Sequence, residues 1–424
     1  MLTAIRKQLE KTNNVTRSMY IWNSVNAILN AAQSPLILMV LTRTNGLNDS
    51  GVFSIAYAVA TLLMFVGQYG LRRFQSSDVK EKYTFSEYYG IRIISCGAMV
   101  AASFLYCIYG MAFRGYGMEK FLVIFLVCLV KTVQAFSDVF HGRMQQVGRL
   151  DVATRSSSVR YIVETASFCG ALVITHDLLL STVCYLAASV IGFALTSLNT
   201  AVDFCEFRPS FQKEKIRELL IEGFPLFVSL FLNMYLCNAP KYAIDAYLSE
   251  EIQALYNLIF MPAFAVQMVA NFIFNPILTS YAVIWNRREI PKLTRLCLRQ
   301  MLVVLGLTML GLAVAATIGI PVLSILFGVD LSGYRIDLCI VMLGGGMLAY
   351  ATFFNTVITI IRLHRTLIVC YGIAALCAFG LSGYFVRTGG MRGATVLFAL
   401  IMTILSVMLG IILFARLRKE RKNS

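Results

Sequence analysis

Twelve apolar runs, each near 20 residues long, recur along the 424-residue chain and limit its fold more than any other feature. They fall at about 18–41, 51–70, 87–110, 119–140, 157–175, 179–201, 221–247, 252–284, 298–320, 338–361, 366–386 and 393–415. About 20 apolar residues in a helix match the ~30 Å hydrocarbon core of a bilayer, whereas a barrel strand needs only about 10. Inside lipid the backbone must satisfy its own hydrogen bonds, so runs of this length are helices. The eighth run exceeds one span, and a bend at Pro262 or Pro276 would absorb the excess. Composition excludes the alternatives. With 58% apolar and 14% charged residues, a water-soluble domain would leave too much apolar surface in solvent, and a disordered chain would carry far more charge. The chain is expected to be an all-α, polytopic membrane protein of about 12 transmembrane helices.

The net charge of +15 would point to nucleic acid in a soluble protein. Here its distribution gives another reason. With the N-terminus placed in the cytoplasm, 28 of the 37 Lys and Arg fall on the cytoplasmic side, six fall on the other side, and Arg92, Lys131 and Lys241 remain inside spans. The positive-inside rule then puts both termini and the loops near Arg72, Arg149, Lys213 and Lys292 in the cytoplasm. No nucleic-acid partner is needed. The 11 cysteines are scattered singly with no C-x-x-C, and read as small buried hydrophobes rather than disulfides or metal ligands.

No connection exceeds about 20 residues, which leaves no room for a nucleotide-binding or catalytic domain outside the membrane. The expected organisation is a six-helix half at 1–207, a cytoplasmic and amphipathic linker at 208–220, and a second six-helix half at 221–424 with a basic tail. A weak internal repeat supports it. Pro35 and Pro240 lie 205 residues apart, and Phe53 and Tyr256 lie 203 apart, each pair set in a polar span followed by a polar-striped one.

Polar residues inside apolar runs require a reason, because each unpaired amide in hydrocarbon costs several kcal/mol. Asn23, Asn26, Asn30 and Gln33 recur at steps of three and four on one face of span 1. Tyr57 and Thr61 continue the pattern in span 2, and Gln267 and Asn271 in span 8, while Asn238 sits in span 7. Such stripes either hydrogen-bond neighbouring helices or line a wet cavity. Charges cost about 2.5–3.5 kcal/mol each at the bilayer centre. Lys131 shares a face with Gln134 and Asp138, Lys241 precedes Asp245 by four residues, and Arg160 precedes Glu164 by four. Each is either a structural ion pair or a functional group. Lys131 and Lys241 are the stronger functional candidates, since a shorter polar residue would be cheaper to bury. Pro35 and Pro240 interrupt backbone hydrogen bonding in mid-helix and are candidate hinges.

No G-x-x-x-x-G-K-[ST] and no H-E-x-x-H occur, and the three histidines are isolated. Neither catalytic residues nor a cofactor or metal is expected. The Gly344-Gly345-Gly346 run reads as a point of close packing or flexibility in span 10.

Four segments carry a family resemblance: Gly51-Val52-Phe53-Ser54, Asn238-Ala239-Pro240-Lys241-Tyr242, Ala254-Leu255-Tyr256-Asn257 and Gly389-Gly390-Met391-Arg392-Gly393-Ala394. In their order and spacing the chain resembles the polysaccharide-transporter branch of the multidrug/oligosaccharidyl-lipid/polysaccharide (MOP) flippase superfamily, which includes O-antigen, capsule and teichoic-acid flippases. The resemblance implies two pseudo-symmetric six-helix lobes around a central cavity lined by spans 1, 2, 7 and 8. It implies a bacterial cell-membrane flippase, not an enzyme, that carries a polyprenyl-(pyro)phosphate-linked oligosaccharide or teichoic-acid precursor outward by alternating access. Glycan polymerases or assembly proteins would be its neighbours. On that reading Lys241, Lys131, Asn26, Asn30, Gln33, Tyr57, Thr61, Asn238, Gln267 and Asn271 contact substrate, and Asp245, Asp138, Glu164 and Arg160 serve coupling or ion pairing. A drug or cation exporter of the same superfamily is the nearest alternative, though a dominant buried acid would be expected there. A membrane glycosyltransferase or polymerase is another, and would need a large outer loop.

Overall fold

A computed structural model describes residues 2–78, 81–274, 278–361 and 363–423. Among these the regular structure is helical throughout. A short helix α1 (Leu2–Glu10) precedes α2 (Val15–Thr44), α3 (Leu47–Gln68), the short α4 (Leu71–Ser77), α5 (Phe85–Arg114), α6 (Met118–Gln146) and α7 (Leu150–Thr175). Next comes α8 (Leu178–Ala201), which carries a π-helical turn at Phe193–Leu198. The second half of the chain contains α9 (Lys213–Tyr247), α10 (Glu250–Phe274), α11 (Leu278–Asn286), α12 (Ile290–Phe327), α13 (Arg335–Ile360) and α14 (His364–Asn423).

Eleven helices are long and apolar enough to cross a membrane among the described residues. The last of them is two in one: α14 runs 60 residues through a non-helical Gly390 (φ 55°, ψ −134°). Counting its two arms separately gives the twelve crossings expected from the apolar runs. The eighth run contributes α10 and α11 on the two sides of residues 275–277, which lie outside the described residues and include Pro276, while Pro262 is carried inside α10. The surface is that of a membrane protein. Phe104, Leu105 and Tyr109 on α5, Leu302 and Leu310 on α12, and Leu376 and Phe379 on α14 are exposed, whereas charged side chains such as Arg92, Lys131, Arg160 and Glu164 are buried within a largely apolar interior.

Local sequence explains several boundaries. The Asn14 side chain accepts from Arg17 N at 3.0 Å and starts α2. Thr84 N donates to the Glu87 carboxylate at 2.8 Å and starts α5. Gly115 and Gly328 end α5 and α12 in the left-handed conformation that glycine adopts without steric cost.

The chain divides into two compact units, Met1–Phe231 and Leu232–Ser424. The division falls inside α9, beyond the expected linker at 208–220, because that linker packs with unit 1. Ser210 N donates to Ser86 O, Leu219 is buried in the cluster of Leu71, Tyr88, Ile91 and Phe140, and Tyr69 stacks on Phe227 at 4.7 Å. Lys82 bridges Glu222 and Glu218 at 2.8 and 2.9 Å. Hydrogen bonds with Glu222, Tyr83 and Glu218 raise the pKa of that ammonium above its ordinary value.

In unit 2 the three consecutive glycines are packing points. A Cβ on Gly344 would meet Phe398, one on Gly345 would lie 2.8 Å from the carbonyl oxygen of Ala263, and one on Gly346 would meet Thr308. Helix α13 therefore touches three neighbours along one turn, and that close approach accounts for the Gly run.

Candidate functional site

The polar interior of unit 1 centres on Lys131, whose side chain is 3% exposed. Its Nζ donates to Gln134 Oε1 at 2.9 Å, to Tyr57 OH at 3.1 Å and, more weakly, to Gln33 Oε1 at 3.5 Å. The ammonium also lies 4.3 Å from the Tyr57 ring centroid. All of these partners are neutral, and among the described residues no carboxylate lies within ion-pair distance of Lys131. The two glutamines then reach the same acid: Gln33 Nε2 and Gln134 Nε2 donate to Glu164 Oε2 at 2.9 and 3.0 Å. The other oxygen of Glu164 accepts from Ser189 Oγ at 2.6 Å and lies 3.5 Å from Arg160 Nε. Helices α2, α3, α6, α7 and α8 thus meet at one lysine and one glutamate joined by two amide bridges. The buried charges sum to an excess of one positive: Lys131 and Arg160 against Glu164.

A second cluster is built around Asp138, one turn or more along α6. It accepts from Arg72 at 3.0 Å and from the fully buried Arg92 at 3.2 Å, and Arg92 also donates to Gly67 O at 2.7 Å. Asp138 is therefore held by two guanidiniums rather than by Lys131, with which it shares a helix face.

Unit 2 holds Lys241, 7% exposed, with its Nζ 4.8 Å from the Phe260 ring centroid. The expected ion pair with Asp245 is not formed. The ammonium lies over the aromatic face, and Lys241 makes no salt bridge among the described residues. Asn238 turns its amide to Met234 of its own helix at 3.1 Å. Gln267 donates to Thr352 Oγ1 at 2.9 Å.

The remaining stripe residues are dispersed. Asn26 accepts from Ser158 Oγ at 3.5 Å, Asn30 is exposed on α2, and Thr61 Oγ1 donates to its own backbone at Tyr57 O. The side chain of Asn271 lies outside the described residues. Pro35 sits within an unbroken α2 and Pro240 within α9, so neither helix is cut in two at its proline. Single-sequence reading missed Ser189, Arg72, Phe260 and Thr352. Arg72 reads in sequence as a loop charge, and the other three are ordinary span residues with no local signal.

The polar network lies within a matched family region. A sequence profile for the family described as polysaccharide biosynthesis protein matches residues 18–282. No curated protein matches the chain. Among solved structures, an inward-facing MATE family multidrug-resistance transporter of the MOP superfamily aligns with TM-score 0.68 at 14% identity, covering 96% of this chain and 99% of that one. The lipid II flippase MurJ in an inward closed conformation aligns with TM-score 0.68 at 14% identity, covering 91% of this chain and 86% of that one. A MOP superfamily transporter from Pyrococcus furiosus, described as having a binding pocket of reverse polarity, aligns with TM-score 0.55 at 15% identity over 98% of both chains. At such identities these likenesses establish the fold. The apolar helices and the fold together define a multi-pass membrane protein whose fold is that of these MOP superfamily transporters. The chain belongs to the polysaccharide biosynthesis protein family.

Proposed function

We propose that this protein is a flippase that moves a polyprenyl-(pyro)phosphate-linked oligosaccharide, or a teichoic-acid precursor, from the inner to the outer leaflet of a bacterial cell membrane. Both termini then lie in the cytoplasm, and transport proceeds by alternating access. The observation that carries this reading is a buried ammonium in each unit with no carboxylate partner among the described residues. Lys131 is held by neutral amides and a phenol, and Lys241 rests on Phe260.

A buried cation is costly unless an anion accompanies it. A phosphate in transit supplies that anion, and the surrounding amides suit sugar hydroxyls. Membership of a polysaccharide biosynthesis family supports a glycan cargo, and one solved structure of similar fold is that of a lipid II flippase. Outward movement of an anion gains about 2.3 kcal/mol per charge per 100 mV of inside-negative potential. Asp138 and Glu164 are engaged by arginines, which leaves the membrane potential, or ion exchange at Asp245, as the drive. A carrier selecting organic cations is disfavoured, because these interior charges would repel its cargo.

Reconstitution tests the reading. Proteoliposomes holding a short, labelled oligosaccharide on a polyprenyl pyrophosphate are given an inside-negative potential, and cleavage of the glycan by an added glycosidase reports its appearance outside. Faster appearance with the wild type than with Lys131→Gln or Lys241→Gln is expected. Efflux of an organic cation, with no movement of the glycan lipid, would overturn the proposal.

A further inference from the structure

The first three turns of α9 carry a stripe that the transport reading does not use. Lys213, Arg217, Ile221 and Phe224 recur at steps of four, four and three, and all four are exposed. Their ladder rises about 16 Å at 1.5 Å per residue, with both cations at one end and both apolar side chains at the other. The stripe forms one wall of an open groove of about 540 Å³. Ile94 of α5, Tyr69, the residue that ends α3, and Phe211, Ile216 and Leu220 complete its lining.

The cations are uncommitted. Of the acids on the same helix, Glu218 and Glu222 bind Lys82, Glu218 also meets Lys215 at 3.9 Å, and Glu214 and Glu218 line an adjoining opening beside the two cations. Among the described residues neither Lys213 nor Arg217 forms an ion pair, with the neighbouring Glu214 or any other carboxylate.

We infer that this groove is a binding site for one anionic phospholipid of the leaflet on the basic-loop side, its phosphate between Lys213 and Arg217 and an acyl chain along Ile221, Phe224 and Ile94. Charge complementarity selects an anionic headgroup over a zwitterionic one. The apolar end is continuous with the exposed apolar flank of α5, where Ile93 and Ile94 stand outward, so a bilayer lipid reaches the groove without leaving its leaflet. The bound lipid would bridge the start of α9 to α5 and the end of α3. It would thereby reinforce the attachment of this segment to unit 1, which Lys82 and the Tyr69–Phe227 stack already provide from other sides.

Native mass spectrometry of the purified full chain in mild detergent tests the site without any transport step. The wild type should retain one phosphatidylglycerol and discriminate against phosphatidylcholine. Lys213→Gln with Arg217→Gln should weaken phosphatidylglycerol retention roughly 30-fold, from a factor of about five per juxtamembrane charge, with unchanged thermal unfolding because both side chains are exposed. Equal retention in the double variant, or equal retention of both lipids by the wild type, overturns the inference. So does displacement of phosphatidylglycerol by an equimolar polyprenyl phosphate, which would assign the groove to cargo. None of these outcomes depends on whether the protein flips a glycan lipid.

Discussion

Gln33 Nε2 donates to Glu164 Oε2 at 2.9 Å, and this bond ties the first membrane span to the fifth across 131 residues of sequence. Gln134 makes the same connection from the fourth span at 3.0 Å, and both glutamines present their amide oxygens to Lys131. Their orientation is fixed from both ends, since an amide between a cation and an anion has only one favourable flip. The bridges are parallel, so they should behave non-additively. Gln33→Leu and Gln134→Leu should each cost about 1 kcal/mol of stability, because the other amide still serves both charges. The double variant should cost more than the two together by about 1 kcal/mol, as expected for residues in one network. Thermal unfolding in detergent measures the cycle, and strict additivity would show that the bridges act independently.

Glu164 is the only carboxylate facing Arg160 among the described residues, and both side chains are almost fully buried. Removal of the acid leaves a guanidinium in a low-dielectric interior. Glu164→Gln should destabilise the protein by about 3–5 kcal/mol, and adding Arg160→Met should recover part of that loss, because the stranded guanidinium is gone while Gln at 164 still offers an acceptor to Gln33, Gln134 and Ser189. If Glu164→Gln unfolds at the wild-type temperature, water reaches Arg160 and the pair is not buried in the working protein.

Gly345 tests helix packing away from any charge. A Cβ there would stand 2.8 Å from the backbone oxygen of Ala263 and 3.0 Å from its Cα, and backbone cannot step aside as a side-chain tip can. Gly345→Ala should cost about 1–3 kcal/mol through overpacking. At Gly306, also helical, a Cβ meets nothing within 4 Å. Gly306→Ala should leave stability unchanged or raise it by up to about 1 kcal/mol, from helix propensity alone. A lowered melting temperature at 345 with no loss at 306 is the expected result.

The contrast between these sites shows what one sequence can convey. Apolar runs of membrane length are properties of single segments, so twelve crossings were legible, down to the break marked by Gly389-Gly390. Lys131 and Gln134 were legible as a pair because three residues on a helix fix their proximity. The partners that define the site come from remote helices. Nothing local distinguishes Ser189 from the other small hydroxyls of α8, and nothing in the spacing of Lys241 and Asp245 reveals that Phe260 takes the ammonium. Helical spacing likewise puts Asp138 on the face of Lys131, yet two arginines bind that carboxylate in place of the lysine, one from a neighbouring span and one from α4. The end of unit 1 at Phe231 is not marked in composition either, because the partners that hold the amphipathic segment and the turns after it, Leu71 and Tyr88 around Leu219 and Tyr69 on Phe227, are remote in sequence.

Lys241 gives the sharpest separation between a structural charge and a functional one. With its Nζ over Phe260 and no ion pair to Asp245, replacing it does not strand a partner carboxylate. Lys241→Gln should therefore leave expression and thermal stability near the wild-type values, or raise stability slightly by removing a buried charge. Export of the glycan lipid should fall at least tenfold, and Lys241→Arg, which restores the charge with a bulkier head, should retain part of it. Asp245→Asn alone should not mimic the lysine variant. The decisive comparison is the double change to Gln at 241 and Asn at 245. If the lysine works by meeting a phosphate, the double variant exports no better than Lys241→Gln. If instead Lys241→Gln lowers protein yield and the double variant restores both yield and export, the two residues form an ion pair during the working cycle, and the ammonium is structural.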